Sequence, residues 1–174
     1  TSLAGISTTA LAGLSTDNVT ALTSTQLSKL GTSQIASLTS DQLNVFSTDQ
    51  IAGLSAVQVK ALSTASLAGL QSTQVPTLGT AQLAALTTDQ LAVFTSDNIA
   101  ALTTTQVAVL SSAQMGTIDA TELGSFSTAE IAALTTKSLV GLTTATLAGL
   151  STDNLVALSS SQVASLSTAQ IGSI

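Results

Sequence analysis

The stretch FSTDQIAGLS (residues 46–55) contains the start signal of a helix twice, eight residues apart. Ser47 is a residue type that caps helix N-termini, and Gln50 follows three positions later, which completes a capping-box pattern. Before a helix of ordinary length could form, Leu54 and Ser55 begin the same pattern again. The stretch therefore predicts a series of very short helices.

The same eight-residue pattern runs through the whole chain. With the large apolar residue numbered as position 1, it occurs 22 times at every eighth residue from Ile6 to Ile174, always as Leu, Ile or Phe. Position 6 is always Leu, Ile, Val or Met, position 2 is Ser or Thr in 17 of 21 octads, and position 5 is Gln or Glu in 14 of 21. We expect a single continuous array of about 21 octapeptide repeats over residues 1–174, cut from a longer array.

Helix capping explains four positions of the octad together. With the N-cap at position 2, the Gln or Glu at position 5 is N3 and can bond back to the N-cap N–H. Positions 1 and 6 are then the apolar pair of a hydrophobic staple, and an Asp at position 4 lies in the first turn, where the helix dipole favours an anion. Six octads have Asp at this position: Asp17, Asp41, Asp49, Asp89, Asp97 and Asp153.

Helices of about six residues are too short to be stable alone, so their apolar faces must share an interior. Position 6 and the following position 1 lie three residues apart, on one face. The sequence therefore predicts an all-α solenoid or superhelix with a Leu/Ile/Val interior and a Ser/Thr/Gln exterior. Small residues at position 8 would let successive turns approach closely.

A β-solenoid is the alternative fold, because Thr, Ile and Val favour strands. Positions 1 and 6 would lie on opposite faces of a continuous strand, so this fold needs a corner in every octad. Gly, Asn and Pro, which usually form corners, are not periodic in this sequence.

Composition excludes several kinds of partner. The chain has three Lys, no Arg and a net charge of −6, so it lacks the basic surface that nucleic acids require. No apolar run reaches the roughly 18 residues of a transmembrane helix, so we expect no membrane insertion of this segment.

The side chains of common catalytic and cofactor sites are also missing. The chain has no His, Cys, Trp, Tyr or Arg. We therefore predict that it is not an enzyme and has no catalytic, cofactor-binding or metal-binding residues. We assign structural roles to the remaining charged and aromatic side chains. Lys29, Lys60 and Lys137 are predicted to be solvated, and Phe46, Phe94 and Phe126 to lie in the core. Asp41, Asp49, Asp89 and Asp97 are predicted to be first-turn residues and not calcium ligands, and Asp119, Glu122 and Glu130 to be capping residues.

The octads LTTDQLAVF (residues 86–94), FSTAEIAAL (126–134) and LSTAQIGSI (166–174) resemble the tandem octapeptide repeats of very large proteobacterial surface proteins. Those proteins are described as haem-utilisation or adhesion proteins, or as RTX-like adhesins. The resemblance implies an extracellular segment on the bacterial cell surface, flanked by other adhesin domains that bind host or matrix ligands. It transfers no haem ligand, because the chain has no His, Tyr or Cys.

The first functional hypothesis is therefore a structural spacer or stalk within a cell-surface adhesin. The alternative is a binding module whose polar exterior recognises a carbohydrate or a protein. A more remote alternative is an ice-binding array of Thr side chains. The spacer hypothesis expects a uniform exterior, and the binding module expects a local cluster of aromatic or charged residues that departs from the repeat.

Overall fold

The computed structural model describes Leu3 and residues 5–174. These residues form twenty short α-helices and one 3₁₀ helix, and no strand is found among them. The prediction of an all-α repeat fold is confirmed, and the β-solenoid alternative is wrong.

Each α-helix has four to six residues, close to the predicted length of six. In chain order the helices are α1 Thr8–Ala12, α2 Thr16–Thr20, α3 Ser24–Leu27, α4 Thr32–Ala36, α5 Ser40–Asn44, α6 Thr48–Ala52, α7 Ala56–Ala61, α8 Thr64–Leu67, α9 Thr80–Ala85, α10 Thr88–Leu91, α11 Ser96–Ala100, α12 Thr104–Val107, α13 Ser112–Met115, α14 Ala120–Gly124, α15 Thr128–Ala133, α16 Thr136–Leu139, α17 Thr144–Leu147, α18 Thr152–Val156, α19 Ser160–Ser165 and α20 Thr168–Ile171. The 3₁₀ helix is Val75–Thr77, between α8 and α9.

The chain divides into two compact units, an N-terminal unit of Thr1–Asn98 and a C-terminal unit of Ile99–Ile174. In the N-terminal unit, α1 contacts α4, α2 contacts α5, and the same step of three helices joins α3 to α6, α4 to α7 and α5 to α8. The C-terminal unit repeats this step from α12 with α15 to α17 with α20. Within each unit, contacts between helices that are a constant number of repeats apart are typical of a repeat solenoid.

The predicted capping box starts the helices. In α6 the Ser47 Oγ accepts from the Gln50 N–H at 3.2 Å, and the Ser47 N–H donates to Gln50 Oε1 at 2.8 Å. The predicted variant at α14 also forms, with Asp119 Oδ1 accepting from the Glu122 N–H at 2.8 Å and the Asp119 N–H donating to the Glu122 carboxylate at 3.0 Å. Where Gly79 replaces the Ser or Thr, only the second bond remains, from its N–H to Gln82 Oε1 at 2.6 Å.

Two extended residues join α9 to α10. At the end of α9, Leu86 at position 1 has φ −60° and ψ 138°, and Thr87 at position 2 has φ −74° and ψ 165°. No residue in the described part of the chain has a positive φ. Because the bend needs no left-handed residue, glycine is not required at a fixed place in the octad.

Pro76 explains the one octad without an α-helix. It falls at position 7, where a helix would need its N–H and where its ring would meet the carbonyl of Ser72, four residues earlier. The chain instead forms a turn followed by the 3₁₀ helix Val75–Thr77.

Positions 1 and 6 form the predicted apolar interior. Every position-1 residue from Leu30 to Leu150 is buried, as is every position-6 residue from Leu11 to Leu147. Position 4 is exposed in every octad from Thr9 to Ala169.

The prediction that Gln shares the exterior with Ser and Thr is wrong. Most position-5 Gln side chains are buried, and Gln42, for example, is 2% exposed. The amide of Gln42 donates to the backbone carbonyls of Leu11 and Leu14, about 30 residues earlier in the chain.

Small residues at position 8 do allow close approach in places. A methyl group added to Gly69 would overlap the backbone of Ser40, and one added to Gly141 would overlap the backbone of Ser112. Both pairs are 29 residues apart, so the glycines lie where one layer of helices packs on the preceding layer.

The octad register predicts an order of stability losses in α6. Ile51→Ala removes a core side chain that is 1% exposed and should lower the free energy of unfolding by about 2–5 kcal/mol. Ser47→Ala removes the N-cap acceptor and should cost about 0.5–2 kcal/mol. Thr48→Ala, the control one residue on, removes an exposed side chain and should cost less than about 0.5 kcal/mol. Urea unfolding followed by circular dichroism measures all three, and equal losses for Ser47→Ala and Thr48→Ala would show that the register is wrong.

Candidate functional site

The leucine that joins two helices creates a recurring problem of hydrogen bonding. A position-1 residue precedes the N-cap, so its carbonyl is not an acceptor for the helix that follows. It is also buried: Leu54, between α6 and α7, is 4% exposed. A buried carbonyl without a donor costs about 1–3 kcal/mol, so each such residue needs a donor from elsewhere in the structure.

The position-5 glutamine supplies this donor from 28 residues further along the chain. Gln82 Nε2 donates to the Leu54 carbonyl at 2.6 Å and to the Ile51 carbonyl, 31 residues earlier, at 3.0 Å. Its Oε1 accepts from the Gly79 N–H in the capping box. One amide therefore starts its own helix and ties it to the end of an earlier helix, while its side chain stays 5% exposed.

This pair of donated bonds recurs in both units. We call the set of position-5 side chains and the carbonyls they reach the glutamine ladder, and each side chain a rung. The rungs whose Nε2 reaches both the position-1 and the position-6 carbonyl are Gln42, Gln50, Gln58, Gln74, Gln82 and Gln90 in the N-terminal unit and Gln162 and Gln170 in the C-terminal unit.

Shorter side chains at position 5 make weaker rungs. Asn98 reaches only the Leu70 carbonyl, at 3.0 Å, and the Ser66 hydroxyl reaches only the Leu38 carbonyl. Both remain buried. These shorter side chains therefore keep the bond to the position-1 carbonyl and lose the bond to the position-6 carbonyl.

The sequence carried one overlooked signal for the ladder. A capping box accepts Gln or Glu at N3, yet position 5 holds twelve Gln and two Glu. Only the amide has an N–H, so this excess points to a second role that needs a donor. What could not be found from the pattern is the acceptor, because it lies 28 residues away.

The other residues considered in the sequence lie apart from the ladder. Asp41, Asp49, Asp89 and Asp97 are exposed in the first turns of their helices, as capping predicts. Lys29, Lys60 and Lys137 are exposed, and Phe46, Phe94 and Phe126 are 3–5% exposed in the core.

A metal site and a membrane-spanning helix would each need an arrangement of side chains that can be looked for in the described residues. Among these residues, no three Asp or Glu side chains come together in a group that could hold a metal ion. None of the helices found there combines the length and the hydropathy that a membrane crossing requires.

The arrangement can therefore hold successive layers of helices together, and its amides are already committed to that task. In Gln82, both the Oε1 and the Nε2 have partners within the chain, and in the part of the chain that the structure describes no buried side-chain N or O lacks a hydrogen-bond partner. The buried amides of the ladder thus serve the packing of one layer of helices on another.

Replacing one rung by its carboxylate isostere isolates the ladder from the capping box. Gln82→Glu keeps the acceptor for the Gly79 N–H but leaves the Leu54 carbonyl without a donor, while the Ile51 carbonyl keeps the Leu54 N–H. The change should lower the free energy of unfolding by about 1–3 kcal/mol. Gln26→Glu is the matched control, because Gln26 forms a capping box with Thr23 and its side chain is half-buried, whereas Gln82 is buried. Its stability should change by less than about 0.5 kcal/mol in urea unfolding at neutral pH. Equal effects of the two changes would assign the burial of Gln82 to packing alone.

Comparison with known proteins gives one family. No curated protein and no solved structure matches the chain. The family model described as the ALTTAQ repeat matches residues 26–56, 76–104 and 140–174, which together make up more than half of the chain. Its six letters correspond to positions 8 and 1–5 of the octad, as in ALTTDQ at residues 85–90. The chain therefore belongs to the ALTTAQ repeat family.

Proposed function

We propose that this chain is a non-catalytic structural repeat segment, a spacer or stalk within a bacterial cell-surface adhesin. The observation that carries the proposal is the use of polar side chains. The hydroxyls at position 2 cap helices, the amides at position 5 form the ladder, and the chain as a whole has only three Lys and nine Asp or Glu in 174 residues. A spacer needs such an inert exterior and a core that holds itself together.

We further infer that the octads wind as a superhelix within each unit, with about three and a half octads per turn. The donor and the position-1 acceptor of each rung are 28 residues apart, and an octad has eight residues. Successive octads in a superhelix of this kind are equivalent, so a spacer can be lengthened by whole octads without changing its contacts.

The location of the spacer rests on the resemblance to proteobacterial surface proteins. We propose that the segment is extracellular and that its partners are the flanking domains of a larger adhesin. Those domains would bind host or matrix ligands, while this segment would set their distance from the cell. It would bind no nucleic acid, because its three Lys are the only cationic side chains.

A spacer should change in length by whole octads and otherwise keep its structure. Deleting residues 31–54 removes three octads, and duplicating them adds three. Both proteins should keep the helical signal per residue of the parent in circular dichroism. Their maximum dimensions in small-angle X-ray scattering should shift by similar amounts in opposite directions.

Deleting residues 31–50 is the control, because it removes two and a half octads and joins position 1 directly to position 6. This protein should lose helix and stability. If the deletions of 24 and 20 residues behave alike, the octad is not the unit of the spacer. Saturable binding of a carbohydrate or protein by the parent chain would instead favour a binding module.

The cell-surface assignment has its own test. An antibody against the purified chain should label intact, unpermeabilised cells of the organism that produces it. Labelling that requires permeabilised cells would refute the surface location and leave the spacer role to the length experiment.

A further inference from the structure

The glutamine ladder is interrupted in one place by five successive octads. Between Gln114 and Gln162, position 5 is occupied in turn by Glu122, Glu130, Ser138, Thr146 and Asn154. Because a run of five octads is longer than the 28 residues that separate donor and acceptor, a complete turn of helices is joined to the preceding one without a single glutamine rung.

The last two residues of the run each keep one bond to the preceding layer. Asn154 Nδ2 donates to the Phe126 carbonyl at 3.1 Å, and Thr146 Oγ1 donates to the Ile118 carbonyl at 3.3 Å. A glutamine rung such as Gln162 donates two, to Leu134 at 2.7 Å and Ile131 at 3.0 Å.

The first three residues of the run bond only within their own octads. The Glu122 carboxylate accepts from the Asp119 N–H at 3.0 Å. The Ser138 hydroxyl donates to the Thr135 carbonyl at 2.8 Å and accepts from the Thr135 hydroxyl at 3.1 Å. The Glu130 carboxylate accepts from the N–H and hydroxyl of Ser127 at 2.8 and 3.0 Å, and an ionised carboxylate has no hydrogen to donate. Glu130 is also half-buried, whereas the glutamine rungs are buried.

The N-terminal unit shows that isolated weak rungs are not the same as a run of them. Ser66 and Asn98 each form a single bond, but Gln58 precedes Ser66, and three glutamine rungs at Gln74, Gln82 and Gln90 separate the two. In that unit, every turn of about three and a half octads from Gln42 to Asn98 therefore contains glutamine rungs.

We propose that the run from Glu122 to Asn154 is a built-in yield point, the first section of the chain to open under tension or by thermal fluctuation. Its apolar residues remain packed, since Leu139 and Leu147 are 0% exposed, so the section is folded at rest. Its polar connection to the preceding layer is reduced to the two single bonds of Thr146 and Asn154. Opening there lengthens the chain and leaves the glutamine-tied N-terminal layers intact.

The yield point follows from the ladder and does not depend on the spacer function. The same section should open first in the isolated chain, whatever the location of the parent protein. Within a spacer, the same section would give a defined place to extend when the two ends are pulled.

Native-state hydrogen exchange of the full chain, read by NMR or by mass spectrometry with fragmentation, tests the proposal. The amides to compare have matching local bonds: Leu139 to Thr135 and Leu147 to Thr143 in the run, against Ile51 to Ser47 and Leu83 to Gly79 in the N-terminal unit. Because these local bonds span 3.0–3.1 Å in both sets, a difference in exchange reports how easily the surrounding layers open. We expect exchange about tenfold or more faster in the run.

Two isosteric changes then move the weak place in opposite directions. Glu130→Gln restores a side chain with two N–H donors and should slow exchange of the Ile131 and Leu134 amides several-fold. Gln50→Glu removes a rung from the N-terminal unit and should speed exchange of the Ile51 and Leu54 amides by a similar factor. Ser138→Gln offers a second restoration if Glu130→Gln alone fills too little of the gap.

Simple fraying is the competing explanation, and the same data exclude or establish it. Fraying predicts exchange that rises steadily toward residue 174 and does not respond to Glu130→Gln or Ser138→Gln. That result, or equal exchange in the two sets of amides, would overturn the proposal. A local maximum that either restoring substitution lowers would support it.

Discussion

A buried peptide carbonyl at every eighth residue is the constraint on which this structure depends. Each octad bends between two helices at a leucine, isoleucine or phenylalanine whose side chain must lie in the core, and its carbonyl is drawn in with it. The helix that follows uses the carbonyl of its N-cap, one residue later, as its first acceptor. The carbonyl of the position-1 residue is therefore left without a partner in that helix. In most octads another part of the chain supplies the missing N–H, at the same interval of eight residues.

Glutamine meets this requirement because its side chain carries an acceptor and two donors on one rigid amide. The Oε1 of Gln50 fixes the start of its own helix, and its Nε2 reaches the Leu22 and Val19 carbonyls. Asparagine is one methylene shorter and keeps one of the two long-range bonds, as at Asn98. Glutamate keeps the capping role and loses the donors. Local helix formation and packing between layers thus depend on two atoms of the same amide, the Oε1 for the cap and the Nε2 for the packing.

The parts of the fold that could be predicted are those decided within one octad. The cap at Ser47, the box with Gln50, the staple of positions 1 and 6 and the acidic first turns all depend on residues within five positions of each other, and the structure contains them. The burial of Gln50 could not be predicted in the same way. It depends on contact in space with Val19 and Leu22, which lie 31 and 28 residues earlier in the chain. An octad pattern does not specify how many octads complete a turn. The octad pattern therefore predicts an exposed Gln at position 5, because capping alone does not require burial. The second role of Gln50, donation to the Val19 and Leu22 carbonyls, draws it into the core.

The direction of the ladder has a consequence for how the chain is made. Each rung donates backwards, from a residue to carbonyls 28 and 31 positions nearer the N-terminus, and the backbone bonds between helices join residues only three or four positions apart. A chain that leaves a ribosome or a secretion channel N-terminus first always presents its acceptors before their donors. Every new octad can complete a rung on layers that have already formed, without waiting for sequence still to come. Folding can then keep pace with emergence, and at any moment only the most recent turn has carbonyls still waiting for a partner.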